Sequence, residues 1–128
     1  MLLLGSIIIE IVIAMAFLTY YFNTLNFSAR LASEALETAR AGAQDGINKV
    51  ILDKNCCPST TYTVATSNGR VATVKICKDV TCDGVTFISG QTQIISTAAV
   101  LNKQKTIEAD LTVDTITGLV TVNQIKEP

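Results

Sequence analysis

The chain has 128 residues, with ten Lys and Arg against eleven Asp and Glu, so its net charge is −1 at neutral pH. A nearly neutral chain has no long-range field that would attract nucleic acid, and none is predicted as a partner. The sequence also contains no His and no Trp. Because His is the commonest general base near neutral pH and a frequent metal ligand, we expect neither an enzyme nor a bound cofactor or metal.

The first 22 residues, MLLLGSIIIEIVIAMAFLTYYF, carry one charged side chain, Glu10. A helix of this length crosses the roughly 30 Å hydrocarbon layer of a bilayer. Tyr20, Tyr21 and Phe22 stand at its end, where aromatic rings favour the headgroup region. We therefore predict a span that contacts the membrane through residues 7–22. The alternative is a cleaved secretory signal, but the basic n-region is missing and the apolar stretch is not followed by an Ala-x-Ala type site.

Beyond the span the apolarity falls, but helical periodicity continues. We predict one helix from Ser6 to Lys54, with Gly42 and Gly46 as points where it could bend. Its outer half, residues 25–54, is amphipathic and needs a partner for its apolar stripe. The stripe consists of apolar residues at three-, four- or seven-residue steps: Leu25, Ala32, Leu36, Ala39, Ala43, Ile47 and Val50.

The remainder of the chain is rich in Thr and Val and alternates between apolar and polar residues, which is typical of strands. The alternation is strictest from Thr106 to Val113. Turn signals that contain Gly, Asn or Asp separate the runs. We predict six strands in an antiparallel meander, near residues 60–66, 70–78, 85–88, 92–101, 105–113 and 119–125.

The predicted fold class is α+β. A long N-terminal helix packs its amphipathic half on a C-terminal antiparallel sheet, which supplies the apolar face that the helix needs. The chain is then divided into a leader (1–5), a transmembrane half-helix (6–24), an amphipathic half-helix (25–54) and a β-rich head (55–128).

The feature that indicates a function is Gly5-Ser6-Ile7-Ile8-Ile9-Glu10, which sets one carboxylate near the start of an apolar helix. A carboxylate at the centre of a membrane helix costs about 2.5–3.5 kcal/mol, so we expect Glu10 to be paired with a cation. The simpler alternative is that Glu10 lies near the membrane interface and snorkels to the headgroups.

The segment GSIIIEIVIAMAF resembles the class III signal of type IV prepilins and type II secretion pseudopilins. That signal is a Gly, a cleavage site, four mostly apolar residues, a Glu and an unbroken apolar helix. The resemblance is specific over residues 5–22, and the Ala-rich sequence within 23–54 supports it. It implies cleavage between Gly5 and Ser6 by a prepilin peptidase and methylation of the new Ser6 amine. It also implies a filament in which Glu10 pairs with the Ser6 amine of a neighbouring subunit.

The resemblance further implies partners and a location. The partners are self and other pilins in a helical filament, the prepilin peptidase and an inner-membrane assembly platform. The chain would begin as a single-pass membrane protein with its head outside the cytoplasm, and would end in a cell-surface or periplasmic filament. Such filaments serve adhesion, motility, DNA uptake or secretion.

Two details depart from the family pattern. Ser6 stands where major pilins usually have Phe or Met, which points to a minor pilin or a divergent lineage. The leader MLLLG has no basic residue that would orient the helix. A second class of function stays open beside the filament subunit. It is a monomeric membrane-anchored extracytoplasmic binding domain, in which Gly5 is not cleaved.

Four cysteines fall between residues 56 and 82. Small extracytoplasmic heads are commonly stabilised by disulfides. We predict two bridges that link Cys56 and Cys57 to Cys77 and Cys82, in a connectivity that the sequence leaves open. A bridge between adjacent cysteines is geometrically awkward. The alternatives are free buried thiols and a zinc site, although Cys-Cys and Cys-x4-Cys match the usual zinc ligand spacing poorly.

Overall fold

The computed structural model describes residues 2–53, 58–114 and 116–128. Helix α1 runs from Leu2 to Leu52 and is followed by five strands. The strands form one antiparallel sheet in sequence order. The predicted α+β fold, a long N-terminal helix packed on an antiparallel sheet, is confirmed. The strands are β1 (Ser59–Ala65), β2 (Val71–Val80), β3 (Phe87–Val100), β4 (Lys103–Val113) and β5 (Val120–Lys126).

The number of strands differs from the prediction, because the segments at 85–88 and 92–101 belong to one strand, β3. Gly90 interrupts the alternation of side chains and adopts a φ of 77° inside the strand. Its amide donates a hydrogen bond of 2.7 Å to Asp79 Oδ1 on β2. Asp79 lies at an irregularity in the pairing of β2 with β3 and has a φ of 59°. The two strands therefore deviate from regular pairing in the same place, and β3 continues through it.

Helix α1 passes through Gly42 and Gly46 without interruption, so neither glycine ends the helix. Both glycines are buried against the sheet. A Cβ on Gly42 would lie 2.8 Å from Ala72 Cβ and closer still to Ser96 Oγ. The glycines therefore allow a close approach of the helix backbone to the sheet. The predicted helix end at Lys54 lies outside the described residues.

The core lies between α1 and the three central strands, β2, β3 and β4. The helix contributes mainly small residues at four-residue steps, so its axis lies close to the sheet. The sheet contributes the inward-facing residues of its central strands, most of which are aliphatic. The buried apolar residues of this core are Leu31, Ala35, Ala39, Ala43 and Val50 on the helix, and Ala72, Val74, Ile76, Ile94, Ala98, Val100, Ile107, Ala109 and Leu111 on the sheet.

The predicted apolar stripe is correct in its outer part and wrong near its start. Ala39, Ala43 and Val50 are buried as predicted, whereas Leu25 is 48% exposed. At the first contact with the sheet, Leu31 and Ala35 are buried, and the predicted pair Ala32 and Leu36 is only half-buried. At this end, the helix face that contacts the sheet is therefore shifted by one residue from the predicted stripe. The contacting face includes Ala35, Ala39, Gly42 and Gly46.

We expect Gly42→Ala to lower the free energy of unfolding by about 1–2 kcal/mol, because the added methyl group overpacks the contact with Ser96 and Ala72. The overpacking itself costs about 2–3 kcal/mol. The higher helix propensity of Ala offsets roughly 1 kcal/mol of that cost. Thermal melting of the full chain in detergent micelles measures the difference. The control is Gln44→Ala on an exposed position of the same helix, which should melt as the wild type does.

Ser96 provides a second arm of this experiment. Its Oγ atom is buried and has no hydrogen-bond partner among the described residues. Adding Ser96→Ala to Gly42→Ala removes the atom nearest to the new methyl group, so part of the lost stability should return. A Gly42→Ala single variant that is as stable as the wild type would contradict the close approach.

Candidate assembly site

The N-terminal half of α1 is a large uncovered apolar surface. The sheet covers the helix only from about Leu31 onward, and every residue from Gly5 to Phe27 is exposed. A helix that is apolar on all sides is stable only within a bilayer or a packed core. The large apolar side chains exposed in this half are Ile7, Ile8, Ile9, Ile11, Val12, Ile13, Met15, Phe17, Leu18, Tyr20, Tyr21, Phe22, Leu25 and Phe27.

Helix α1 is long and apolar enough to span a membrane, by its length and composition. Complete burial of one large apolar side chain contributes about 1.5–3 kcal/mol. About a dozen such side chains lie between Ile7 and Phe22, so the free energy that favours covering this segment is on the order of 20 kcal/mol. Water alone is therefore a poor surrounding for this half of the helix, and lipid or protein has to cover it.

Glu10 lies within the uncovered half, one helical turn after Ser6. Its side chain is exposed, and it forms no ion pair with the residues that the structure describes. The first basic side chain further along the helix is Arg30, which lies about 30 Å away along the axis at 1.5 Å per residue. None of the basic side chains that the structure describes is therefore within reach of Glu10.

The proposed cleavage position is sterically open. Gly5 is exposed, and nothing lies within 4 Å of the place that a Cβ atom would occupy. Gly5, Ser6 and Glu10 therefore lie on one continuous exposed helix, which begins at Leu2 and not at Ser6 as predicted.

Polar contacts hold the outer part of the sheet on the helix. Tyr62 of β1 donates a hydrogen bond of 2.8 Å to Asp45 Oδ2, and Lys49 Nζ lies 3.2 Å from the centroid of the Tyr62 ring. In the turn after β1, Arg70 Nη2 lies 3.3 Å from Glu34 Oε2. Burial, the hydrogen bond to Asp45 and the Asp45 charge together raise the pKa of Tyr62 well above its ordinary value. Sequence reasoning missed these pairs because no local pattern links positions so far apart.

Cys77 and Cys82 form a disulfide with each other, with their Cα atoms 5.3 Å apart. The prediction that links them to Cys56 and Cys57 is therefore wrong. Strand β2 is irregular at Asp79, which has a positive φ, and the chain turns after Val80, so that Cys82 lies beside Cys77. Cys56 and Cys57 lie outside the described residues. The bridge also excludes a zinc site that would use all four thiolates.

Comparisons of this chain with protein-family models, with curated proteins and with solved structures find no match. The chain can be described by its architecture. It is an α+β protein whose folded head packs on the outer half of one long helix. The other half of the helix is apolar and long enough to span a membrane, and the described part of the chain leaves it uncovered.

We expect Tyr62→Phe to lower the free energy of unfolding by about 1 kcal/mol at pH 7, because Asp45 loses its hydrogen-bond donor. The pKa of Tyr62 is raised in the folded chain, so the unfolded chain ionises first, near pH 10. The stability from the hydroxyl group is therefore complete below about pH 10 and declines above it.

Denaturant unfolding of the full chain in micelles between pH 7 and pH 11 measures this difference. The gap between the wild type and Tyr62→Phe should narrow at the alkaline end. Tyr20→Phe is the control, because Tyr20 lies outside the contact between helix and sheet, and it should match the wild type throughout. A gap that widens above pH 10 would mean that the folded state does not favour the neutral hydroxyl group.

Proposed function

We propose that this chain is a structural subunit of an extracytoplasmic type IV pilus or pseudopilus filament and polymerises through its N-terminal helix. The observation that supports this most strongly is the helix half from Gly5 to Phe27, which is exposed on all sides beside a head that completes its core without it. Lipid would cover this half before assembly. In the filament, other copies of the chain would cover it. The work of the protein would then be polymerisation rather than catalysis.

The motif at Gly5–Glu10 supports the same proposal. If the bond between Gly5 and Ser6 is cut, Ser6 carries an amine one helical turn from the carboxylate of its own chain, at the end of an apolar rod. A positive group of a neighbouring subunit at the depth of Glu10 would neutralise the carboxylate and fix the axial offset of the subunits. Removing one partner of a buried ion pair costs about 3–5 kcal/mol, enough to decide whether a subunit enters the filament.

A second candidate is a monomeric extracytoplasmic binding domain anchored in the membrane. It is favoured by the same helix, which is long and apolar enough to span a bilayer without any other copy. In that case lipid alone covers the apolar half, and Glu10 has only to reach the headgroups. The two candidates differ in whether the chain is cut at Gly5 and whether it leaves the bilayer.

We expect the native protein to begin at Ser6 with one added methyl group on its amine. The mass of the N-terminal peptide from native material measures both changes. Gly5→Leu should block the cut and leave the subunit in the membrane, because a bulky residue replaces the Gly of the cleavage signal. Ile7→Leu, which keeps the apolar character after the cut, is the control and should be processed normally. Intact Met1 in purified filaments would contradict the proposal.

We expect Glu10→Leu to reduce incorporation into filaments at least about tenfold in cells that lack the wild-type copy, because the ion pair is lost. Insertion into the membrane should remain normal, since Leu is more favourable in lipid than Glu. The head should melt as in the wild type, because Glu10 lies outside the contact between helix and sheet. Ile11→Leu is the matched control. Quantification of sheared filaments against total membrane-bound subunit gives the ratio, and wild-type incorporation of Glu10→Leu would refute the role of this charge.

A further inference from the structure

An apolar groove runs beside α1, where the sheet is wider than the helix. Strand β5 is the last strand of the sheet, and nearly all of its residues are exposed. Ile125 of this strand faces the groove and is 57% exposed. The groove has a volume of ≈ 300 Å³. Its lining consists of Arg40, Ala43, Gln44 and Ile47 on the helix, Ile107 on β4 and Ile125 on β5.

Arg40 stands at the helix side of this groove with its charge unpaired. It is exposed and forms no ion pair within the described ranges. The other two basic residues of α1 each lie near a carboxylate four positions away: Arg30 lies 3.9 Å from Glu34, and Lys49 lies 3.8 Å from Asp45. Arg40 is therefore the helix cation that remains available to an incoming carboxylate.

The uncovered half of α1 carries the complementary charge, since Glu10 is the one charged residue in its apolar segment. A second helix can lie parallel to α1 with its Glu10 beside Arg40. In this register, Phe17 of the second helix lies beside Ile47 in the groove. Its small Ala14 lies opposite the longer side chain of Gln44. One register thus provides both the ion pair and the apolar contact. The two sets of residues share the spacing i, i+4, i+7: Glu10, Ala14 and Phe17 on the incoming helix, and Arg40, Gln44 and Ile47 on the groove.

We propose that this groove receives the N-terminal helix half of a second copy of this chain, parallel to α1, with Glu10 of the incoming copy paired to Arg40. The inference rests on the proposed function, assembly through this helix half. It names a cation on the head for Glu10 in place of the Ser6 amine that the family resemblance implies. The axial offset of the two copies would be about 45 Å, from the rise per residue between Glu10 and Arg40.

The surroundings strengthen this pair. In the occupied groove, Ile47, Ile107 and Ile125 would border the pair on one side, and the aliphatic neighbours of Glu10 would border it on the other, so that little water would reach it. Two charges in such surroundings attract each other more strongly than in water. An uncompensated Glu10 in the same place would be costly, so the groove selects for the register that pairs it.

The first test is Arg40→Gln in the full chain, in cells that lack the wild-type copy. Arg30→Gln is the matched control, because Arg30 is the same residue type on the same helix and already has a partner. Incorporation of Arg40→Gln into filaments should fall at least about tenfold below the control. Its membrane insertion and melting temperature should equal those of the wild type, since Arg40 makes no ion pair inside the chain.

The second test locates the contact independently of charge. A photo-reactive p-benzoylphenylalanine replaces Phe17, and assembled filaments are irradiated, digested with trypsin and analysed by mass spectrometry. We expect a cross-link to the tryptic peptide 41–49, which contains Ile47, and mixing isotope-labelled with unlabelled subunits should show that it joins two copies. Cross-links that reach only the N-terminal helices of other copies, or only lipid, would overturn the assignment.

The outcomes separate this inference from the function on which it rests. Wild-type chains that form no filament overturn both. A second possible result is that assembly depends on Glu10 while Arg40→Gln is incorporated as well as the control. This result overturns only the proposed binding in the groove, and the Ser6 amine then remains as the partner of Glu10. Support requires both the loss of assembly in Arg40→Gln and the cross-link to peptide 41–49, and a failure of either one overturns the inference.

Discussion

Helix α1 is one uninterrupted helix whose two halves require different surroundings. Between Leu31 and Val50 it packs one face of small residues on the sheet, while between Gly5 and Phe27 it is mostly apolar and exposed along its whole length. Because the helix is continuous from one part to the other, the head cannot fold back over the apolar half. The head must therefore complete its core on the outer half alone, and the inner half must be covered by lipid or by another chain.

The small residues of the outer half determine the shape of the head. Glycine and alanine at the contact let the helix lie close to β2, β3 and β4, but a single helix is too narrow to cover five strands. On one side, Tyr62 and Arg70 attach the outer strand and its turn through polar contacts with the helix. On the other side, β5 extends past the helix, and its exposed apolar residues border the groove next to Arg40. The uncovered groove is thus a consequence of the same close packing that stabilises the core.

Much of this architecture follows from local patterns. The unbroken apolar run predicts a helix long enough to span a membrane, and the helical period predicts its continuation. The alternation from Thr106 to Val113 predicts β4 apart from its first residues. The features that were missed depend on contacts between distant positions. Leu31 and Ala35 are the first buried residues of the helix because of how closely the sheet approaches the helix there. The continuity of β3 through Gly90 depends on an irregularity in its neighbour, and the Cys77–Cys82 bridge depends on the turn geometry around Asp79. At the candidate site, the sequence motif indicates Glu10 directly. The sequence does not show that Arg40 is unpaired, because this depends on which carboxylates lie near Arg30 and Lys49 in the folded chain.

We propose that copies of this chain cover each other's apolar helices. This proposal can be tested by electron cryo-microscopy, with helical reconstruction, of material sheared from cells that carry the native chain. We expect filaments whose axis is filled by parallel N-terminal helices. The segment from Ile7 to Phe22 should be enclosed by neighbouring copies, with the sheets on the outside. A chain that is found only as single copies in the membrane, under conditions in which its cells export surface filaments built from other subunits, would contradict it.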